Sequence, residues 1–147
     1  MPSDFSLKAM NSAHRFLLRV TGGRVGWQAM GMPVIELTTI GRKSGEKRSA
    51  MLTAPAMDGR SYVIVASRGG DDRHPAWFLN LRDEPHVEVV VKGGPRQAMI
   101  ASIATPEQRA RLWPEITRRF SNYAGYQEKT QREIPLVLLT PVGASGD

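Results

Sequence analysis

Residues 42–48 hold the densest charge in the chain. Arg42, Lys43, Lys47 and Arg48, with Glu46 as the only acid among them, carry half of the net charge of +6. Two guanidinium forks, ammonium point charges, Ser44 and neighbouring glycine amides could converge on one anion, which is the donor set a phosphate requires. A solvated turn is the ordinary reading of such a cluster. A nucleic acid asks for a broad basic track with stacking platforms, and this cluster is compact, so no nucleic-acid partner is expected. A second candidate is Ala66-Ser67-Arg68-Gly69-Gly70, where glycines let backbone approach a flat ligand and Ser67 offers a hydroxyl. Pro75-Ala76-Trp77-Phe78-Leu79-Asn80-Leu81 follows closely, and Trp77 by itself is more often a core anchor than a ligand contact. Tyr123 and Tyr126, three residues apart, share a helix face and could be packing residues with wet hydroxyls.

Other chemistry is missing. With no cysteine there is no disulfide, thiolate metal site or cysteine nucleophile. His14, His74 and His86 fall on three separate elements without metal-ligand spacing, so no metal site is expected. Neither G-x-G-x-x-G nor G-x-S-x-G occurs, and Gly41-Arg42-Lys43-Ser44 lacks the spacing of a P-loop. An enzyme built on this chain would therefore draw its chemistry from a cofactor and supply binding and orientation itself.

The elements that must position these groups follow from periodicity. The 147 residues, 41% hydrophobic and 23% charged, suit one globular domain. An amphipathic helix is expected over residues 1–23, with Ser3 as cap and Lys8, Arg15 and Arg19 on its polar side. Strands are expected at Val34–Thr39, Arg48–Ala54, Tyr62–Ala66, His86–Lys92, Pro95–Ile103 and Ile134–Thr140, the first three as a meander. Short helices are expected at Pro75–Arg82 and around Tyr123. Another starts at the Thr105 cap, with Pro106 at its first position, Gln108 completing a capping box, and a stripe of Leu112, Trp113, Ile116 and Phe120. About six mainly antiparallel strands with flanking helices give an α+β fold, an antiparallel sheet or small barrel over residues 24–142, with 143–147 as a frayed tail. No apolar run reaches the roughly 20 residues of a membrane span and no signal-peptide core is present, so a cytoplasmic protein is expected. Residues 3–20 would dock on the core, cover the substrate site or lie against the inner face of the cell membrane.

The motifs Leu37-Thr38-Thr39-Ile40-Gly41-Arg42-Lys43-Ser44-Gly45, Val65-Ala66-Ser67-Arg68-Gly69-Gly70 and His74-Pro75-Ala76-Trp77-Phe78-Leu79-Asn80-Leu81 stand in this order. Tyr123-Ala124-Gly125-Tyr126-Gln127 and Arg132-Glu133-Ile134-Pro135 follow. Together they resemble the deazaflavin-dependent nitroreductase and quinone reductase family over residues 30–142. The resemblance implies a split β-barrel related to flavin-reductase and pyridoxamine-phosphate-oxidase-like folds. It also implies coenzyme F-420, a deazaflavin bearing a phosphate and an acidic polyglutamate tail, in preference to FMN. Carried over to this chain, Arg42, Lys43, Ser44 and Arg48 would contact the phosphate and tail, with Met51 nearby. Val65, Ala66, Ser67 and Arg68 would line the deazaflavin, Ala76, Trp77 and Asn80 would shape its groove, and Tyr123 would close over the ring.

The implied activity is hydride transfer from the reduced deazaflavin to a quinone or nitro acceptor. Ser67 would polarise acceptor or ring, Tyr126 would face the substrate, and the proton would come from Tyr126 or from solvent. Two positions depart from the family pattern. Phe120 stands where some members have a tyrosine, and Arg68 replaces a common lysine. A non-catalytic deazaflavin carrier and an FMN-binding barrel are the alternatives.

Overall fold

The structure, a computed structural model, describes residues 28–29 and 31–142. The helix expected over 1–23 and the tail 143–147 lie outside them. Strands run at Gln28–Ala29 (β1), Met32–Ile40 (β2), Lys47–Thr53 (β3), Ala56–Asp58 (β4), Ser61–Val65 (β5), His86–Val91 (β6), Arg96–Ile103 (β7) and Leu136–Pro141 (β8). Helices occupy Ala76–Asp83 (α1), Pro106–Arg119 (α2) and Asn122–Glu128 (α3), and a 3-10 turn covers Arg68–Gly70.

Every described strand pairing is antiparallel, in the order β1-β2-β6-β7-β8-β5-β4, with β3 also on β2. The sheet curls because β3 and β4 are almost one strand that changes partner. Ala54 still donates to Pro33 O at 3.0 Å. Pro55 has no N–H with which to continue that ladder, and from Ala56 the chain pairs with Val63 of β5 instead. The bend carries the chain from one sheet edge to the other, so β3 and β4 act as one of six barrel strands. The meander expected from the first three strands is therefore corrected: β5 pairs with β8 and β4, not with β3.

Strand alternation divides the apolar residues between two cores. Inside the curl pack Ile35, Leu37, Ile64, Val87, Val89, Met99, Ala101, Val137 and Leu139, joined by Phe78 and Leu81 of α1. Outside it, Val63, Val65, Leu136 and Leu138 are covered by Leu112 and Ile116 of α2, Tyr123 of α3 and Ile134. The capping box that starts α2 is complete: Gln108 N donates to Thr105 Oγ1 at 3.1 Å and Thr105 N to Gln108 Oε1 at 2.9 Å.

Candidate active site

The basic residues belong to the β2–β3 hairpin. Its last strand pair is Ile40 with Lys47, which leaves residues 41–46 to turn the chain. Gly41 N donates to Glu46 O at 2.7 Å, Gly45 N to Gly41 O at 2.8 Å, and Glu46 N to Ser44 Oγ at 3.1 Å. A Cβ at Gly41 would stand 2.7 Å from Ser44 Oγ and 3.3 Å from Glu46 O, so the tight turn depends on glycine there. Alternation then sorts the cations, since directly paired residues point to one face. Arg48 pairs with Thr39 and shares the inner face of β2, whereas Lys47 pairs with Ile40 and points outward to Glu88 at 3.3 Å. The cluster expected to face one anion is thus divided, with Lys47 on the opposite side from Arg48.

Asn80 fixes this turn to α1. Its Oδ1 accepts from Arg42 N at 3.2 Å and from Arg42 Nη1 at 3.0 Å, while its Nδ2 donates to Thr39 Oγ1 at 3.1 Å. The side chain is 4% exposed, so these bonds satisfy a carboxamide that water does not reach. Lys43 is exposed and makes no hydrogen bond or ion pair among the described residues. Among the described residues, the one charged partner of Arg48 is Glu46, at 3.3 Å in solvent.

Just before α1, the chain meets the second candidate. Arg132 reaches over the end of β5: Nη2 donates to Ala66 O at 3.2 Å and Ser67 O at 2.9 Å, Nε to Asp71 O at 3.0 Å, and Nη1 to His74 Nδ1 at 3.2 Å. Arginine has no acceptor, so His74 Nδ1 must be the unprotonated nitrogen of a neutral ring. Burial, together with the charges of Arg132 and Arg82, pulls the His74 pKa below its ordinary value. Arg68, at φ +47, pairs with the buried carboxylate of Asp71. The backbone N–H of Arg73 chiefly holds that carboxyl below its usual range, and Arg68 adds to the effect. Ser67 is 8% exposed, and its hydroxyl has no partner among the described residues.

The remaining candidates take distinct places. Gly70, at φ +89, packs so closely under α3 that a Cβ would stand 2.8 Å from Tyr126 O. Tyr126 is half-buried, its ring 6.0 Å from that of Tyr123, and its hydroxyl has no partner among the described residues. Tyr123 belongs to the outer core, with its hydroxyl bonded to Thr53 Oγ1 at 3.1 Å and 3.5 Å from Met32 Sδ. Burial raises its pKa. Val65 and Ala66 bury their side chains in opposite cores, and Met51 lies on the face of β3 away from Arg48. Ala76 is exposed one helical turn before Asn80, and Trp77 is half-buried against the inner core.

The turn, α1 and the Ser67 loop therefore form one strip, pinned at one end by Asn80 and at the other by Arg132. Residues 11–141 match the family described as F420H(2)-dependent quinone reductase. The chain belongs to that family. It is 41% identical over 131 residues to an F420H(2)-dependent quinone reductase of Mycobacterium tuberculosis, covering 86% of this chain and 87% of the relative. A solved F420-H2 dependent reductase, FDR-A, is 36% identical with a TM-score of 0.63, covering 73% of this chain and 93% of its own. The fold extends to a pyridoxamine 5′-phosphate oxidase-type protein of Listeria innocua at 14% identity and TM-score 0.51, covering 88% and 94% of the two chains. The barrel is thus the split barrel of the flavin-reductase and pyridoxamine-phosphate-oxidase type.

The family's cofactor suits the residues present. A polyanionic tail needs an excess of exposed cations, and among the described residues of this turn Arg42, Lys43 and Arg48 stand against one acid, Glu46, which pairs with Arg48. Ser67 supplies the small unpartnered donor expected beside a flat ring. Sequence reading missed two anchors. The Asn80 carboxamide holds the turn, a role beyond the groove-shaping one that the resemblance implies, and Arg132 stands in the sequence only as part of a motif. Among the described residues, no three His, Asp or Glu side chains gather to hold a metal ion, and no helix is long and apolar enough to cross a membrane.

Proposed function

We propose that this chain transfers a hydride from reduced coenzyme F-420 to a quinone, with nitro compounds as a second class of acceptor. The observation that carries the reading is the pinned strip, which joins an anion-binding turn to a loop with a free hydroxyl in a member of this family. When bound, the reduced deazaflavin supplies the hydride from its C5 position. Arg42, Lys43 and Arg48 hold the phosphate and acidic tail by charge-assisted hydrogen bonds. Ser67 Oγ donates to the acceptor oxygen and draws negative charge onto it. A quinone that gains a hydride becomes a hydroquinone monoanion and needs one proton, which the Tyr126 hydroxyl provides and regains from solvent. The backbone of Val65 and Ala66 lines the ring, and Trp77 shields the groove from water. The protein's main contribution is orientation, worth roughly 7–11 kcal/mol in the best cases.

Mixing the purified protein with reduced deazaflavin and menadione should give protein-dependent recovery of the oxidised chromophore's absorbance. Reoxidation no faster than without protein, across a panel of quinones and nitroaromatics, removes the activity. The basic and apolar sides of residues 3–20 further suggest contact with an anionic membrane that holds lipid-soluble quinones. Full-length protein should then co-sediment with anionic liposomes, and protein lacking residues 1–22 should not.

A further inference from the structure

We propose that Arg132 is a positioning residue for the reaction, a clamp that sets the Ser67 loop for hydride transfer; the inference rests on the reading of Ser67 given above. Four of the five N–H groups of its guanidinium are used within one loop system, on the carbonyls of Ala66, Ser67 and Asp71 and on His74 Nδ1. Two of these carbonyls flank the Ser67 side chain directly. The clamp thereby fixes the peptide planes on both sides of the hydroxyl and leaves the hydroxyl itself unengaged.

Arg132 is itself held. Gln127 Nε2 donates to Arg132 O at 2.7 Å, Gln127 Oε1 accepts from Ile134 N at 2.9 Å, and Arg132 N donates to Thr130 Oγ1 at 3.3 Å. Arg109 Nη2 adds a bond to the same Gln127 Oε1 at 3.2 Å, tying the assembly to α2. Tyr126 is the neighbour of Gln127 in α3, and its carbonyl lies against Gly70. One network therefore sets both unpartnered hydroxyls, Ser67 through Arg132 and Tyr126 through α3. The carboxylate of Asp71 is occupied by Arg68 and Arg73. The Arg132 side chain is spent on three backbone carbonyls and His74, and its fork geometry matters because the three donors of a lysine leave one nitrogen and cannot span these four acceptors.

The test compares wild type, Arg132→Ala and Arg132→Lys. In the cofactor-free protein, amide exchange at 67–71 should accelerate in both variants while the β5 ladder at 62–65 stays protected. With reduced deazaflavin and menadione, kcat should fall at least about tenfold in Arg132→Ala, as expected for a misplaced reacting group. KM for the deazaflavin should stay within roughly threefold, because the basic turn is untouched. Guanidinium at sub-denaturing concentration should restore part of the Arg132→Ala rate where equal sodium chloride does not. Unchanged exchange at 67–71, a rise in KM with kcat intact, or equal response to the two salts overturns the proposal. If Arg132→Ala does not fold, Arg132→Lys carries the exchange and kcat comparisons. Exchange needs no turnover. Should exchange at 67–71 respond as expected while wild type fails to oxidise the reduced cofactor, Arg132 still orders the loop, and its role in hydride transfer falls with the activity.

Discussion

Lys43 and Arg42 are neighbours in one turn, yet their removal has different consequences. Lys43 touches nothing described, so Lys43→Ala should leave the thermal midpoint unchanged and weaken deazaflavin binding about tenfold at low salt, the worth of one charge-assisted bond. The deficit should shrink as salt screens the tail. Arg42→Ala also takes the Nη1 donor from the buried Asn80 Oδ1, which keeps the backbone N–H of residue 42, adding a stability loss of about 0.5–1.5 kcal/mol. Lys47→Ala serves as the control. Its side chain points to Glu88 on the other face, so titration should show unchanged deazaflavin affinity. A loss equal to that of Lys43→Ala would place the tail elsewhere. Sequence made the cations visible as a cluster but not their division, which depends on a register. The partners of Asn80 and Arg132 were less visible still, since Arg42 lies 38 positions from Asn80 and Ala66 lies 66 from Arg132. Nothing local marks such pairs.

Elements were easier to read where their signals were local. The Thr105 capping box, the strands expected at His86–Lys92 and Pro95–Ile103 and the helix carrying both tyrosines all form close to where spacing placed them. The partner of β5 was not readable, because Pro55 shows that a ladder ends there and not which strand takes over. Two substitutions separate elements that only stabilise from those that also set the site. Thr105→Ala removes a helix cap far from the strip and should cost about 1 kcal/mol, or ~2–4 °C in Tm, with kcat and KM unchanged. Gly70→Ala imposes a side chain at φ +89 and within 2.8 Å of Tyr126 O. It should cost more than about 1 kcal/mol and also reduce kcat, since α3 must lift from the Ser67 loop. Calorimetry with steady-state rates checks both. Equal kinetics in the two variants would mean that the contact between α3 and the loop is only structural.

For the whole molecule, acid acts on the same loop that carries the site. His74 must be neutral to accept from Arg132, and its pKa is lowered in the fold by burial and by the charges of Arg132 and Arg82. Between that lowered value and the ordinary histidine value near 6.5, the unfolded chain binds a proton that the native chain does not. Stability is therefore full above about pH 6.5 and declines as pH falls, until native His74 protonates as well. Asp71 has the other common sign. Its lowered pKa, due first to the Arg73 N–H, contributes stability above about pH 3.8 that is lost only in stronger acid. The two windows separate, so a decline in urea midpoint beginning just below pH 6.5 belongs to His74. His74→Gln keeps an acceptor for Arg132 and cannot titrate, so its urea midpoint should be flatter between about pH 6.5 and 5. Protonation also removes the Nδ1 acceptor from the clamp, and wild-type kcat should fall over the pH range in which native His74 protonates, while kcat of His74→Gln should not. An acid decline of equal depth in both proteins would assign it to another group and separate the loop's stability from His74.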